Sequence, residues 1–137
     1  MRRMMVILWL GVTLVVVAMG YVRLAPSDPG KWHRMPDAPR AADFANGVIR
    51  VVDTGGDGLA RLDRIAGATT HTKPLFGSVG EGMVTYVTRS VVFGFPDYTT
   101  ARQVGERLEI HGRARFGKSD LGVNRARVEG WIDALQP

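Results

Sequence analysis

The fold is decided by one stretch near the C-terminus, Arg113–Trp131, with the sequence RARFGKSDLGVNRARVEGW. Its first residues continue a basic β-strand, and its last residues have the apolar spacing of an α-helix. Between the two, Ser119 or Asp120 can accept hydrogen bonds from the first free amides of the helix, as short polar side chains often do. The stretch therefore predicts a strand that leads directly into a capped helix.

The strand before this helix alternates apolar and polar residues from Leu108 to Phe116. Successive side chains of a strand point to opposite faces, so Leu108, Ile110, Ala114 and Phe116 are expected to point inward. The other face then presents three basic residues, His111, Arg113 and Arg115. This row is either solvent-exposed surface or one wall of an anion-binding site, and the sequence leaves both open.

Apolar residues of the final helix recur at helical spacing and are expected to pack on the sheet: Leu121, Val128, Trp131, Ile132 and Leu135. Asn124 lies close to that stripe, where an amide without a hydrogen-bond partner would be costly. It is expected either to tie the turn at Phe93–Tyr98 to the helix or to contact a ligand.

The helix start is also a candidate anion site. Gly117, Lys118 and the first helical amides can form a positive concavity for a phosphate or carboxylate, although the stretch lacks the spacing of a Walker motif. The candidate ligand-binding residues are Arg113, Arg115, Ser119, Asp120, Asn124 and Arg125. No catalytic residue, metal ligand or cofactor is predicted.

Together with Thr85–Tyr98 (TYVTRSVVFGFPDY), the stretch Arg113–Trp131 resembles the bacterial family called domain of unknown function 1499. The resemblance covers roughly residues 25 to 135 and is sharpest at Asp120–Arg125 (DLGVNR). The segment between Gly58 and Val79 matches loosely, so no site residue is carried over from it. The family has no established activity, so the resemblance implies kinship and neither a reaction nor a ligand.

An uncharged, mostly apolar run extends from Met4 to Val22 behind the basic start of the chain. It is just long enough to cross a hydrocarbon core of about 30 Å. Small residues at Ala18 and Gly20 also fit a cleaved secretory signal, but the apolar run continues past that point. A retained membrane-spanning helix is therefore favoured over a cleaved signal.

Flanking charges give conflicting indications of orientation. Arg2 and Arg3 favour a cytoplasmic N-terminus, whereas four basic residues soon after the span favour the reverse: Arg23, Lys31, Arg34 and Arg40. Because the segment is so signal-like, we expect a single-pass protein of the inner (cytoplasmic) membrane with its domain on the periplasmic or extracytoplasmic side.

The sequence divides into an anchor or uncleaved signal (1–23), a Pro-rich linker (24–45) and a family domain (46–137). Four prolines and weak apolar periodicity predict an extended linker that lifts the domain off the bilayer, with Trp32 and His33 against headgroups or the domain.

Within the domain, Val48–Val52 predicts a strand, and Leu59, Leu62, Ile65 and Ala66 predict a short helix that ends near Gly67. Val91–Phe95 and Tyr98–Val104 flank Pro96-Asp97, a pair suited to a tight turn. The predicted class is α+β, an antiparallel sheet with helices on one face.

Composition excludes several functions of this 137-residue chain. It contains no cysteine, so disulfides and thiolate chemistry are impossible. Of its net charge of +5, two units come from Arg2 and Arg3, and the remaining +3 is too low for a nucleic-acid groove. Ser90 follows Arg89 but lies in no G-x-S-x-G elbow, and the three histidines have no zinc-binding spacing.

The sequence thus predicts a membrane-anchored envelope domain that is not an enzyme. Its expected partners are the membrane, through the N-terminal helix, and an anionic small molecule, a lipid headgroup or an envelope protein. A structural or assembly scaffold is the main alternative, and an uncharacterised hydrolase is a weaker one. Asp97 and Asp120 would form a carboxylate pair only if the fold brought them together.

Overall fold

The computed structural model of the chain describes residues 1–136. Its helices are α1 (Arg2–Leu24), α2 (Pro29–Trp32), α3 (Gly58–Ala68) and α4 (Val123–Leu135). Its strands are β1 (Ala42–Phe44), β2 (Gly47–Asp53), β3 (Thr72–Ser78), β4 (Met83–Arg89), β5 (Pro96–Val104) and β6 (Arg107–Ala114). They form one sheet in the order β1-β2-β6-β5-β4-β3, with every neighbouring pair antiparallel. The predicted α+β class is confirmed.

Helices α3 and α4 pack on the same face of this sheet and share one core. The buried helical residues are Leu59, Leu62, Ala66, Val128, Trp131 and Leu135. The strand residues that meet them are Val48, Val84, Tyr86, Ala101, Leu108 and Ile110. Because burial of one large aliphatic side chain contributes about 1.5–3 kcal/mol, this face supplies most of the stability of the domain.

Trp131 links the two helices at the centre of the core. Its indole Nε1 donates a hydrogen bond to Thr69 Oγ1 over 3.0 Å, and its ring packs edge-on against Tyr86 with centroids 5.8 Å apart. The Tyr86 hydroxyl in turn donates to Asp63 Oδ1 at 2.6 Å. The prediction that Trp131 is a core residue is confirmed.

The prediction that Leu121 packs on the sheet is wrong. Helix α4 begins only at Val123, and Leu121 (φ 55°) and Gly122 (φ 78°) form a left-handed turn before it. This turn directs the Leu121 side chain outward, where it is 93% exposed.

The predicted turn at Pro96-Asp97 is also wrong, because Pro96 opens β5 and the turn precedes it. Strand β4 ends at Arg89, and residues 90–95 form the connection to β5. Two contacts close this loop: Ser90 N donates to Phe95 O at 3.0 Å, and Phe95 N donates to Ser90 Oγ at 2.9 Å. Side-chain capping by Ser90 therefore outweighs the turn preference of the proline pair.

The second face of the sheet is covered by residues 25–37, which we call the cover segment. The Trp32 ring lies 4.5 Å from the Tyr98 ring, and His33 Nδ1 lies 2.8 Å from Thr85 Oγ1. Met35 is buried as well. Because these side chains gain contacts on the sheet, the segment folds back instead of extending as the predicted linker, and Ala42–Phe44 adds an edge strand. The three-part division of the chain is otherwise still a prediction.

Helix α1 has no buried residue and a mean hydropathy of 2.4 over its most apolar window. It is long and apolar enough to be a membrane anchor, and a signal sequence has the same properties. Its last turn meets the domain at the β4–β5 loop, where Arg23 donates to the carbonyl of Val92 over 3.0 Å.

Candidate functional site

The six residues predicted to bind a ligand do not meet in one place. Arg113 and Arg115 contact the cover segment on one face of the sheet. The others lie at the start of α4, beside the opposite face: Ser119, Asp120, Asn124 and Arg125. The sheet therefore separates the two basic strand residues from the helix start.

Asp120 occupies the helix start that was considered as an anion site. Its Oδ1 accepts a hydrogen bond from Gly122 N at 2.9 Å, and its Oδ2 accepts from Asn124 N at 3.1 Å and Asn124 Nδ2 at 2.8 Å. Partial burial raises the pKa of this carboxyl, but the hydrogen bonds from Asn124 and Gly122 outweigh that effect and leave the pKa below its ordinary value. Asp120 thus acts as a cap, and an external anion would have to displace it.

Asn124 is fully buried and links the helix to strand β5. Its Oδ1 accepts a hydrogen bond from Arg127 at 2.9 Å, and Arg127 donates to Asp97 Oδ2 at 3.2 Å. Asn124 therefore ties the segment before Tyr98 to α4, as the sequence predicts, with Arg127 as the intermediate. This role satisfies the buried amide without a ligand.

Ser119 and Asp120 line a cavity of about 400 Å³ together with Ser90 and Asp97. The fold thus does bring Asp97 and Asp120 to one cavity. Burial raises the pKa of Asp97, while the Arg127 guanidinium opposes the shift. With two carboxylates in its wall, this acidic cavity is unsuited to an anion, and none of the chain's histidines is among its lining residues.

Arg125 lies at the edge of the sheet and is exposed. Its guanidinium is 3.6 Å from the carboxylate of Asp43 in β1. An exposed ion pair of this kind contributes about 0–1 kcal/mol, so Arg125 is not a strong structural contact. It also does not line the cavity beside Asp120.

Arg113 is the most deeply buried of the predicted basic residues. It donates to Thr100 Oγ1 at 2.8 Å, to the His111 carbonyl at 3.0 Å and to the Trp32 carbonyl, and its guanidinium lies 5.6 Å from the centre of the Trp32 ring. Burial lowers its pKa to about 10, so it is still charged at neutral pH. Within residues 1–136 no carboxylate lies within ion-pair distance of it.

Glu109, on the same face of β6, is a buried charge that does have ion-pair partners, unlike Arg113. Glu109 is buried still more deeply than Arg113, yet its carboxylate lies 2.7 Å from Arg102 and 3.6 Å from Arg107. A buried charge is normally paired because desolvation is costly. The buried cation of Arg113 has only neutral partners in the described chain.

Arg113 opens onto a groove of about 390 Å³ between the sheet and the cover segment, which we call the basic groove. Its lining residues are Lys31, Trp32, Arg34, Met35, Pro36, Asp37, His111 and Arg113. Three of these side chains are cations, and Asp37 is the only carboxylate among them. The Lys31 ammonium lies 5.1 Å from the centre of the Trp32 ring. The groove is therefore suited to an anionic group.

His111 also lines the groove and carries one polar atom without a partner in the described chain. Its Nδ1 is buried and has no hydrogen-bond partner in residues 1–136. Burial, with the nearby Arg113 charge, lowers the pKa of His111 to about 4, so the ring is neutral at physiological pH.

The sequence predicts Arg113 but misses Lys31, Trp32 and Arg34, because the surrounding prolines indicate a linker. The feature of the sequence that indicates packing of this segment on the domain is Trp32, a large apolar side chain in an otherwise polar segment.

Arg115 belongs to neither cavity: it donates to Tyr98 Oη at 3.1 Å and to the Ala25 carbonyl at 3.4 Å, and so holds the start of the cover segment. Among the described residues, no three His, Asp or Glu side chains are placed to hold a metal ion.

The fold and the groove define a small α+β domain that follows a single apolar helix. The chain belongs to the family of proteins of unknown function DUF1499, whose family model matches residues 26–135. No curated protein matches the chain at a significant level. The matched region includes the whole basic groove and all of the cover segment except its first residue, Ala25.

Proposed function

We propose that the protein is a membrane-anchored envelope domain, without enzymatic activity, that binds an anionic group in the basic groove. One observation carries this proposal: Arg113 is 8% exposed, charged, and without a carboxylate partner in the described chain, at the wall of a cavity. Two opposite unit charges 4 Å apart attract by about 4 kcal/mol at the effective dielectric of a protein surface. A bound anion would therefore stabilise the folded domain.

The chemistry of the groove favours a carboxylate or phosphate. Lys31 and Arg34 are exposed and can reach a ligand, whereas Arg113 is held rigidly by Thr100 and Trp32. The volume of about 390 Å³ is typical of a site for a small molecule or for one headgroup. The acidic end of a protein partner would present the same chemistry.

A scaffold function is the second candidate, because the same cations would hold an acidic segment of another envelope protein. A hydrolase is less well supported. Ser90 lines the acidic cavity, but its Oγ accepts a hydrogen bond from Phe95 N, and His111 lies on the opposite face of the sheet.

Inorganic phosphate tests the groove directly. We expect phosphate to raise the unfolding temperature of the full chain in neutral detergent more than chloride does at equal ionic strength. A ligand at 100 times its Kd stabilises the folded state by about 2.7 kcal/mol. The double substitution Lys31→Ala with Arg34→Ala should remove the phosphate effect, since both side chains are exposed and free to be changed without loss of the fold.

Lys73→Ala is the matched control, because Lys73 is exposed on β3 and lines neither cavity. It should respond to phosphate as the parent chain does. Equal stabilisation by phosphate and chloride, or an unchanged response in the double variant, would contradict the proposal. Native mass spectrometry of the full chain, released gently from the envelope, would then show whether an added mass corresponds to a small molecule, a lipid or a protein.

A further inference from the structure

We propose that residues 91–95, here called the apolar loop, insert into the interfacial layer of the bilayer that α1 enters. The domain would then be docked on the membrane at a second point as well as tethered to it. This inference rests on the anchoring role proposed for α1 and is independent of ligand binding in the basic groove.

The apolar loop exposes four large apolar side chains within five residues. Val91 is 76% exposed, Val92 67%, Phe93 50% and Phe95 42%. Single exposed apolar residues are common, but a contiguous patch of this kind marks a surface that contacts a partner or a membrane.

A line of aromatic rings connects this patch to the end of α1. Ring centroids are 5.6 Å apart between Phe93 and Phe95, 6.3 Å between Phe95 and Phe116, and 6.3 Å between Phe116 and Tyr21. Tyr21 lies in the last turn of α1. Aromatic rings are enriched where helices leave the membrane, so the patch lies at the level where α1 would do so.

Arginine side chains satisfy the backbone of this region. Arg23 donates to the Val92 carbonyl at 3.0 Å, and Arg89 donates to the Gly94 carbonyl at 2.9 Å and to the Val22 carbonyl at 3.4 Å. Unpaired carbonyls are costly away from water, so these contacts suit the loop to an interfacial environment. Both guanidinium groups also add positive charge where anionic headgroups lie.

A bilayer is the occupant that these contacts favour. Arg23 and Arg89 hold the apolar loop against the last turn of α1, whose 23 residues include none that is buried. When α1 spans a membrane, that contact keeps the loop beside the lipid surface. A separate protein would have to compete with lipid for the same patch.

Site-specific fluorescence tests the inference on the full chain, which has no cysteine of its own. We would label Phe93→Cys and Val91→Cys with an environment-sensitive fluorophore and reconstitute each in vesicles of phosphatidylethanolamine and phosphatidylglycerol. Both labels should show blue-shifted emission, quenching by nitroxide-bearing lipids and protection from aqueous iodide. Lys73→Cys, on exposed β3, is the control and should behave as a label in water.

Leu14→Cys, in the middle of α1, separates failure of this inference from failure of the anchor. Lipid quenching at Leu14 with water-like labels at Phe93 and Val91 would overturn loop insertion and leave the anchor intact. Water-like labels at all three positions would overturn both. Lipid quenching at all three positions supports the inference, whereas lipid quenching at Phe93 and Val91 with a water-like label at Leu14 would overturn it, because the loop would then contact lipid without the anchor.

Discussion

Arg113 is one of several residues that join the sheet to the cover segment. Its guanidinium bonds Thr100 on the neighbouring strand and the carbonyl of Trp32, and it lies over the Trp32 ring. These contacts position the charge at the wall of the basic groove without neutralising it. Arg113 is therefore both a structural contact and the centre of the proposed site, and its substitution alone would not separate the two roles.

His111, in the same groove, should make the stability of the domain sensitive to pH. The unfolded chain protonates this side chain near its ordinary pKa of 6.5, whereas the folded chain does so only near pH 4. The unfolded state therefore binds more protons between these values. The contribution of His111 to the free energy of unfolding is fully present above pH 6.5 and is lost as pH decreases toward 4. Partial exposure reduces the effect to about 1–3 kcal/mol.

Unfolding of the full chain in detergent, measured from pH 7 to pH 4, checks this expectation. The variant His111→Gln should lose less stability than the parent across that window, since glutamine does not titrate. His71→Gln is the control, because His71 is exposed on a loop, and should follow the parent profile. Parallel profiles for the parent and His111→Gln would show that His111 is not the titrating group.

At the scale of elements, the close approach of α4 to β6 places the helix start. Gly112 lies on β6 where the helix crosses, and a Cβ at that position would be 3.0 Å from Val128 Cγ2 and 3.4 Å from Asn124 Oδ1. The glycine therefore lets Asn124 reach both Asp120 and Arg127. A larger residue would push α4 away from the sheet.

Gly112→Val should destabilise the domain by about 1–3 kcal/mol, because its added methyl groups overpack the contact with α4. Gly130→Ala, on the open side of the same helix, should stabilise it by about 0.5–1 kcal/mol, since a Cβ there meets nothing within 4 Å and alanine favours the helix. Chemical denaturation of both variants measures the two changes. A Gly112→Val variant as stable as its parent would show that α4 can shift without cost.

At the scale of the whole molecule, the sheet separates two surfaces. One face is covered by α3 and α4 and forms the core, whereas the other carries the cover segment and the basic groove. Helix α1 and the apolar loop meet at one end of the domain. The proposed groove is therefore held at a defined position relative to the proposed membrane surface, instead of on a long extended linker.

Membrane topology tests the placement proposed for the whole chain. Alkaline phosphatase fused to the C-terminus should be active, because that enzyme matures only outside the cytoplasm, and a green fluorescent protein fusion should be dark after export. The protein should stay in the membrane fraction and retain Met1. Reversed reporter signals would place the domain in the cytoplasm, and an N-terminus at Tyr21 would show that α1 is a cleaved signal.

Local patterns were sufficient for the parts of the fold that depend on neighbours in sequence. The alternation from Leu108 to Phe116 correctly predicts that Leu108 and Ile110 of β6 point into the core, and the spacing of Val128, Trp131 and Leu135 predicts the buried face of α4. The alternation is wrong for Phe116, which lies beyond the end of β6 and packs with Phe95 and Tyr21. The same local reasoning failed at Leu121, where a left-handed turn reverses the side chain, and at Pro96, where Ser90 caps a loop that the sequence pattern does not show.

The α+β class, the apolar N-terminal helix and the family follow from the amino-acid sequence alone, because periodicity, run length and motif are properties of contiguous residues. The fold-back of the proline-rich segment and the meeting of Lys31, Arg34, His111 and Arg113 in one groove became apparent only in the folded structure. Those outcomes depend on contacts between residues far apart in the chain, such as Trp32 with Arg113, whose free energy no local pattern expresses.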